Sequence, residues 1–305
     1  MKETIMRILS AAILLPIFIF SFQYSAFLYY IPLFLLGLTV IYLGLIEFYK
    51  LSDRGDEGRP FRTTGFILAV IIFTIYYFNL LLRQNQIEVP YWLANSGRFL
   101  KADYELVVLA VFLVTFFSFV WQILHRPLDG AIFSVSTTIL GVIYLAIPLG
   151  HFLKLLSLPF GIYYIYIVCG LTMITDAGAY FGGRLFGRHP AGLKISPKKT
   201  IEGYVTGIIT AIIYCLIINA VWIHMLGKTP AFGTIETILF GFVFSIISVA
   251  GDLSESAMKR DAHTKDSAGT IPGHGGVLDL ADALLFTIPT AYVYLVFKEM
   301  AGFSI

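Results

Sequence analysis

Runs of about twenty apolar residues recur from one end of this chain to the other, and they decide the fold class before any motif is read. A hydrocarbon core roughly 30 Å thick takes about 20 helical residues to cross, and inside lipid only helices or closed barrels satisfy the backbone. The runs lack the strict alternation of a barrel strand, so helices are expected. With 305 residues, 58% hydrophobic and 13% charged, and a mean hydropathy of +0.82, the chain is too apolar for a soluble domain of its length. The reading is an all-α, polytopic integral membrane protein with about nine transmembrane helices, each near the length the bilayer demands. They fall near 6–22, 26–49, 64–83, 106–124, 132–150, 160–182, 204–226, 234–254 and 283–302.

The net charge of +2 says little, but the placement of the 21 Lys and Arg residues says more. If the N-terminus is cytoplasmic, only Arg83, Arg98, Lys101, Lys154, Lys228 and Lys298 fall on the far side. The remainder fall inside, which satisfies the positive-inside bias and puts both charged loops after residue 182 in the cytoplasm. The first apolar run has a long core and no persuasive cleavage site after it, so a retained helix is expected rather than a secretory signal. Cys169 and Cys215 both lie inside expected spans, supporting neither a disulfide framework nor a thiolate metal site.

The chain divides by chemistry. Residues 1–157 read as a scaffold of transmembrane helices offering oligomer or lipid contacts, and 158–305 as a catalytic transmembrane domain with cytosolic loops. The first half is nearly bare of chemistry: its loops 50–63 and 84–105 read as solvated connections, the second with Tyr91 and Trp92 suited to the interface. No internal repeat of the kind that marks many transporters is visible.

Three polar clusters follow. In residues 175–203, Asp176, Tyr180 and Arg184 recur every four residues and share one helix face. A carboxylate near the end of a span is costly unless paired or wet, so Asp176 is either functional or paired with Arg184 through Tyr180. Lys194, Lys198 and Lys199 surround Ser196, and Thr200 and Glu202 stand where a helix would begin near Ile201. Lysines beside a helix N-terminus make an anion site, whether for a phosphate substrate or for anionic headgroups.

In residues 251–266, Asp252, Ser256, Lys259 and Arg260 form one helical stripe. The carboxylate suits a cation and the basic groups suit phosphate oxygens, Arg260 in bidentate fashion. Glu255 and Asp261 leave the stripe and read as solvated or supporting. Lys265 and Asp266 close this cluster.

In residues 267–282, Gly273, Gly275 and Gly276 let backbone amides approach a ligand closely, as a phosphate-cradling turn requires. Asp279 and Asp282 lie one helical turn apart and can face one hard cation. His274 suits a phosphate contact, proton transfer or ordering of the loop. Carboxylates without cysteine ligands favour Mg2+ over Zn2+.

The stretch SAMKRDAHTKDSAGTIPGHGGVLDLAD closely resembles the signature of CDP-diacylglycerol synthases, also called phosphatidate cytidylyltransferases: Ser, two residues, Lys-Arg, four residues, Lys-Asp, then His-Gly-Gly and two aspartates three apart. The upstream DAGAYFGGRLFG and ISPKKTIEG resemble a second block of that family, and the motif resemblance covers residues 172–282. It departs from the family pattern at Leu280 and Ala283, where Arg and Ser are usual, so a phosphate contact is missing or replaced. The resemblance implies Mg-dependent transfer of a cytidylyl group from CTP to phosphatidic acid, giving CDP-diacylglycerol and pyrophosphate.

Under that reading Asp252, Asp279 and Asp282 are metal ligands, and Asp176 holds a second cation, monovalent or divalent, or orients Arg184. Lys198, Lys199, Lys259 and Arg260 hold phosphates. Lys194, Ser196, Thr200, Glu202, Arg184, Ser256, Lys265, Asp266, His274, Gly275 and Gly276 complete the substrate site. Membrane lipids are the implied surroundings, the bacterial inner (cytoplasmic) membrane the implied location with the site facing the cytoplasm, and a homodimer one assembly it allows; no nucleic acid is implied. The alternatives are another CTP-dependent membrane lipid enzyme, such as a prenol kinase or a synthase for a different lipid phosphate, and a cation-coupled transporter using Asp176, Asp252 and Asp279 as an ion path.

Overall fold

A computed structural model of the chain describes residues 12, 16–21, 23, 28–83, 103–225, 227, 232–264, 268 and 275–302. The protein is all-α: the described residues contain no strand, and an isolated antiparallel bridge joins Pro190 and Thr200. Its helices are α1 (Ile31–Leu51), α2 (Arg62–Arg83), α3 (Asp103–His125), α4 (Ala131–Leu156), α5 (Gly161–Phe186), α6 (Ile201–Ala220), α7 (Thr234–Asp261), α8 (Val277–Ala281) and α9 (Leu284–Met300). Eight segments among the described residues are long and apolar enough to cross a membrane, with α6 extended to His224 and α8 and α9 together making one span, Val277–Met300. They correspond to the second through last of the expected spans; the first, 6–22, lies mostly outside the described residues. The last span begins earlier than expected, because α8 adds a short helix before Ala283.

The chain forms two compact units. One comprises Met1–Ser157 with Ala262–Leu280; the other comprises Leu158–Asp261 with Ala281–Ile305. The first is built on α1 to α4. Leu45, Tyr49, Ile72, Phe73, Tyr76, Val142 and Leu145 are buried in its interior. Large aromatic rings at that depth need partners for their polar tips. The Tyr49 hydroxyl donates to the Thr138 carbonyl at 3.0 Å, and the Tyr77 hydroxyl to the Tyr29 carbonyl at 2.6 Å. The connection from α1 to α2 is tied down by side chains of α4: the Arg59 amide donates to Ser134 Oγ at 3.0 Å and the Phe61 amide to Thr138 Oγ1 at 2.7 Å.

The second unit is built on α5, α6, α7 and α9. α5 and α6 lie in close contact, and Thr206 Oγ1 donates across to the Gly178 carbonyl at 3.1 Å, the small-residue packing that membrane helices favour. Tyr163, Tyr164, Phe232, Phe240, Phe244 and Tyr294 form an aromatic core. Buried Asn219 crosses that core, donating to the Phe232 carbonyl at 3.1 Å and to Thr237 Oγ1 at 3.2 Å. Glu236 joins α7 to α9 through Lys298 at 2.7 Å and the Tyr294 hydroxyl at 2.7 Å. Cys169 of α5 and Cys215 of α6 are buried free thiols.

Candidate active site

The polar end of the second unit begins with the connection from α5 to α6. Residues 188–201 run as a hairpin, closed by the Ala191 amide to the Lys199 carbonyl at 2.8 Å and the Ile201 amide to the His189 carbonyl at 3.0 Å. Within it, the Ser196 amide donates to the Leu193 carbonyl and the Lys199 amide to the Ser196 carbonyl, a tight turn that Pro197 suits. Thr200 caps α6 as expected, its hydroxyl accepting the Gly203 amide at 3.2 Å.

Glu202 is engaged in a different way from the substrate contact read in the sequence. Its carboxylate accepts the backbone amides of Arg188 and His189 at 3.1–3.2 Å and contacts His189 Nδ1 at 2.5 Å. It straps the hairpin to α6. The hairpin then turns Lys199 inward, with its side chain 30% exposed, while Lys194 and Lys198 stay exposed and Ser196 is half-buried.

Lys199 is ion-paired with Asp252 of α7 and lies over the Tyr204 ring, 5.7 Å from its centroid. Burial pulls its amine below the ordinary lysine range; Asp176 and Asp282 oppose that fall, and the nearby cation Lys259 adds to it. The ammonium group is thus paired with Asp252 and feels the charges of Asp176, Asp282 and Lys259. Asp176 of α5 acts on Lys199, not on Arg184: Arg184 is exposed and makes no ion pair with Asp176, so the structural Asp176–Arg184 pairing considered from the sequence is absent.

One and two turns further along α7, Glu255 and Lys259 form an i,i+4 ion pair. Glu255 is fully buried and Lys259 partly so, its side chain 14% exposed; of the two readings of Glu255, solvated or supporting, burial against Lys259 leaves the second. The sequence held one usable signal, the i,i+4 spacing of the two charges; which side of α7 faces inward is decided by packing. Asp282, 8% exposed, stands at the start of the last helix and accepts its neighbour's amide, Ala283 N–H, at 2.5 Å. Gly251 brings α7 against this point, since a Cβ there would lie 2.8 Å from Ala283 Cα and 2.9 Å from the Asp282 carbonyl oxygen. Arg260 is exposed, and its Nε donates to the Ile195 carbonyl of the hairpin at 3.4 Å. Ser256 is half-buried on α7.

In the first unit, Gly275 and Gly276 lead into α8. Gly275 adopts φ +87°, and a Cβ there would lie 2.5 Å from Asp279 Oδ2, so both the backbone and the space call for glycine. The Gly276 amide donates to Asp279 Oδ2 at 2.6 Å, the reach-back half of a capping box. The next two amides, of Val277 and Leu278, donate to Glu47 of α1 at 3.0 and 2.9 Å. The amides that a phosphate cradle would offer at 276–278 are thus taken up by two carboxylates. Glu47 was missed in the sequence because it sits within an apolar span of the seemingly bare first half. Leu280, at the position of the missing Arg, is half-exposed. Lys265, Asp266, Gly273 and His274 lie outside the described residues.

The second unit thus gathers Asp176, Lys199, Asp252, Glu255, Lys259 and Asp282 from the hairpin, α5, α7 and the turn before α9. Among the described residues, no three acidic, histidine or cysteine side chains form a group that could hold a metal ion. The carboxylates of this set are interleaved with lysines: Asp252 is occupied by Lys199, and Glu255 by Lys259. Such an arrangement holds cationic groups fixed in a partly buried setting, where they act strongly on phosphate oxygens.

Comparison with known proteins decides the family. The pattern that describes the cytidylyltransferase family matches residues 5–298. The chain belongs to the cytidylyltransferase family. A Haemophilus influenzae protein named phosphatidate cytidylyltransferase is 31% identical over 300 residues, covering 92% of this chain and 93% of the relative. A Bacillus subtilis protein of the same name is 36% identical over 157 residues, 51% of this chain and 56% of the relative. A Thermotoga maritima protein of that name is 35% identical over 170 residues, 55% of this chain and 61% of the relative. Against the Bacillus and Thermotoga relatives, then, the chain spans little more than half their length.

Proposed function

We propose that this member of the cytidylyltransferase family transfers the cytidylyl group of CTP to phosphatidic acid, forming CDP-diacylglycerol and pyrophosphate. The observation that carries the reading is the pairing of two partly buried lysines, Lys199 and Lys259, with the carboxylates of α7 at the polar end of a membrane-embedded unit. Family membership and the names of the relatives support it.

In the proposed reaction an oxygen of the lipid phosphate forms a bond to the α-phosphorus of CTP. The bond from that phosphorus to the oxygen bridging to the β-phosphorus breaks, and pyrophosphate departs with the electron pair. A phosphate monoester, with a second pKa near 6, is already largely a dianion at neutral pH, so no strong general base is needed. The work is positioning and charge stabilisation. Lys199 and Lys259 would neutralise the phosphates, with Lys198 and Arg260 at the exposed mouth. Asp252 and Glu255 would hold the two ammonium groups in place until substrate arrives.

Mg2+, and a second cation, are part of this reading as requirements to be tested; no step is routed through them, since the described carboxylates do not converge on a cation site. The charge asymmetry of the loops supports a site facing the cytoplasm of a bacterial inner membrane, the compartment that supplies CTP. The decisive experiment incubates purified full-length protein with radiolabelled CTP, Mg2+ and phosphatidic acid. CTP labelled at the α-phosphate should place label in CDP-diacylglycerol with release of one pyrophosphate; transfer of γ-phosphate label to an added prenol, or no transfer at all, defeats the reading.

A further inference from the structure

Glu47 is a carboxylate in the middle of an otherwise apolar helical turn, and its residue is 2% exposed. A charged or polar group at such a position is expensive and calls for specific partners. Its two oxygens take one amide each from the start of α8: Val277 N–H at 3.0 Å and Leu278 N–H at 2.9 Å. Both amides are among those that a helix leaves without an internal partner, and a negative charge there is favoured by the helix dipole. The next residue is Asp279, whose own side chain secures the preceding amide, Gly276 N–H, at 2.6 Å. Three successive amides are therefore fixed by two carboxylates, one local and one brought from 230 residues away in sequence. Helix α8 is only five residues long, too short to hold its own start in place.

We infer that Glu47 is a positioning residue for the reaction proposed above: by accepting the Val277 and Leu278 amides it fixes the start of the helix that presents Asp279. It need not touch substrate. The inference rests on the proposed activity only for its catalytic consequence; the anchoring itself stands on the hydrogen bonds.

The test uses full-length protein in detergent or nanodiscs, with Glu47→Gln as the first variant, because Gln keeps one acceptor oxygen and the same shape. Two quantities are read. Hydrogen exchange at the 277 and 278 amides should be slow in the native protein and accelerate by about tenfold or more in the variant, with α5 to α7 unchanged. In CTP turnover, kcat per folded molecule, with the folded fraction measured by size-exclusion chromatography, should fall by about tenfold or more while KM for CTP moves less than about threefold; that normalisation removes the share of any unfolded protein, which by itself lowers apparent kcat at constant KM. Val277→Pro removes one of the two donors from the other side of the contact, at a position where helices accept proline. It should shift exchange at 278 and kcat in the same direction, and it decides the matter if Glu47→Gln does not fold. Native kcat in the folded variants, or 277 and 278 amides that exchange freely in the unmodified protein, overturns the inference. If the unmodified protein shows no cytidylyl transfer, the proposed function fails, and the exchange data still decide whether Glu47 anchors α8.

Discussion

The Lys199 ammonium group is ion-paired with the Asp252 carboxylate, joining the hairpin after α5 to helix α7 across 53 residues of sequence. This places a group read as a phosphate ligand directly on one read as a metal ligand. The two must act as one unit, since moving either alters the charge that the other presents.

Lys199→Gln should therefore lower turnover by more than about tenfold, as losing a charged phosphate contact of about 1.5–3 kcal/mol would do. Asp252→Asn should also lower it, and the double variant should lose less than the sum, with a coupling of about 0.5–3 kcal/mol. Steady-state kinetics with CTP varied at saturating phosphatidic acid measure both. Strict additivity would mean that the two residues act independently.

Glu255→Gln should destabilise the second unit, because removing one partner of a buried ion pair costs about 3–5 kcal/mol. Adding Lys259→Met to it should recover part of the loss by removing the stranded cation, while abolishing activity. Thermal unfolding in detergent reports the stability, and an unshifted midpoint in the single variant would contradict the burial of the pair.

Gly275→Ala should cost on the order of 1–3 kcal/mol locally, since alanine is strained at φ +87° and its methyl would strike Asp279. Gly192 has φ +70° but open space around it, so Gly192→Ala separates backbone strain from the clash. Turnover should fall much further in the first variant than in the second. Equal losses would show that proximity to Asp279 is irrelevant.

Chelation with EDTA should stop cytidylyl transfer, and added Mg2+ should restore it. Turnover that persists in excess EDTA would remove Mg2+ from the proposal and leave charge neutralisation to Lys199 and Lys259.

Orientation is checked with single cysteines at Ala191 and Asn95, in a background without Cys169 and Cys215. A membrane-impermeant thiol reagent applied to intact cells should label position 95 and spare 191 until the cells are lysed. Labelling of 191 from outside would put the hairpin on the side without CTP.

The sequence by itself determined what depends on local pattern. Apolar run length sets the place of the eight membrane helices found among the described residues, because crossing the bilayer is a constraint on consecutive residues, and the cap at Thr200 follows from its own neighbours. The motif around Lys259 and Asp279 pointed to the family that the whole-chain match establishes. The sequence could not tell which charges pair. Asp252, read as a metal ligand, is paired with Lys199; Glu202, read as part of the substrate site, straps the hairpin; Glu255, read as solvated or supporting, is fully buried. Glu47 looked like a stray acid in an apolar helix and caps α8. Each of these depends on which face of a helix turns inward and on which distant segment meets it. In a low-dielectric interior a polar group must find a partner wherever packing puts one, and only the tertiary structure decided where that was.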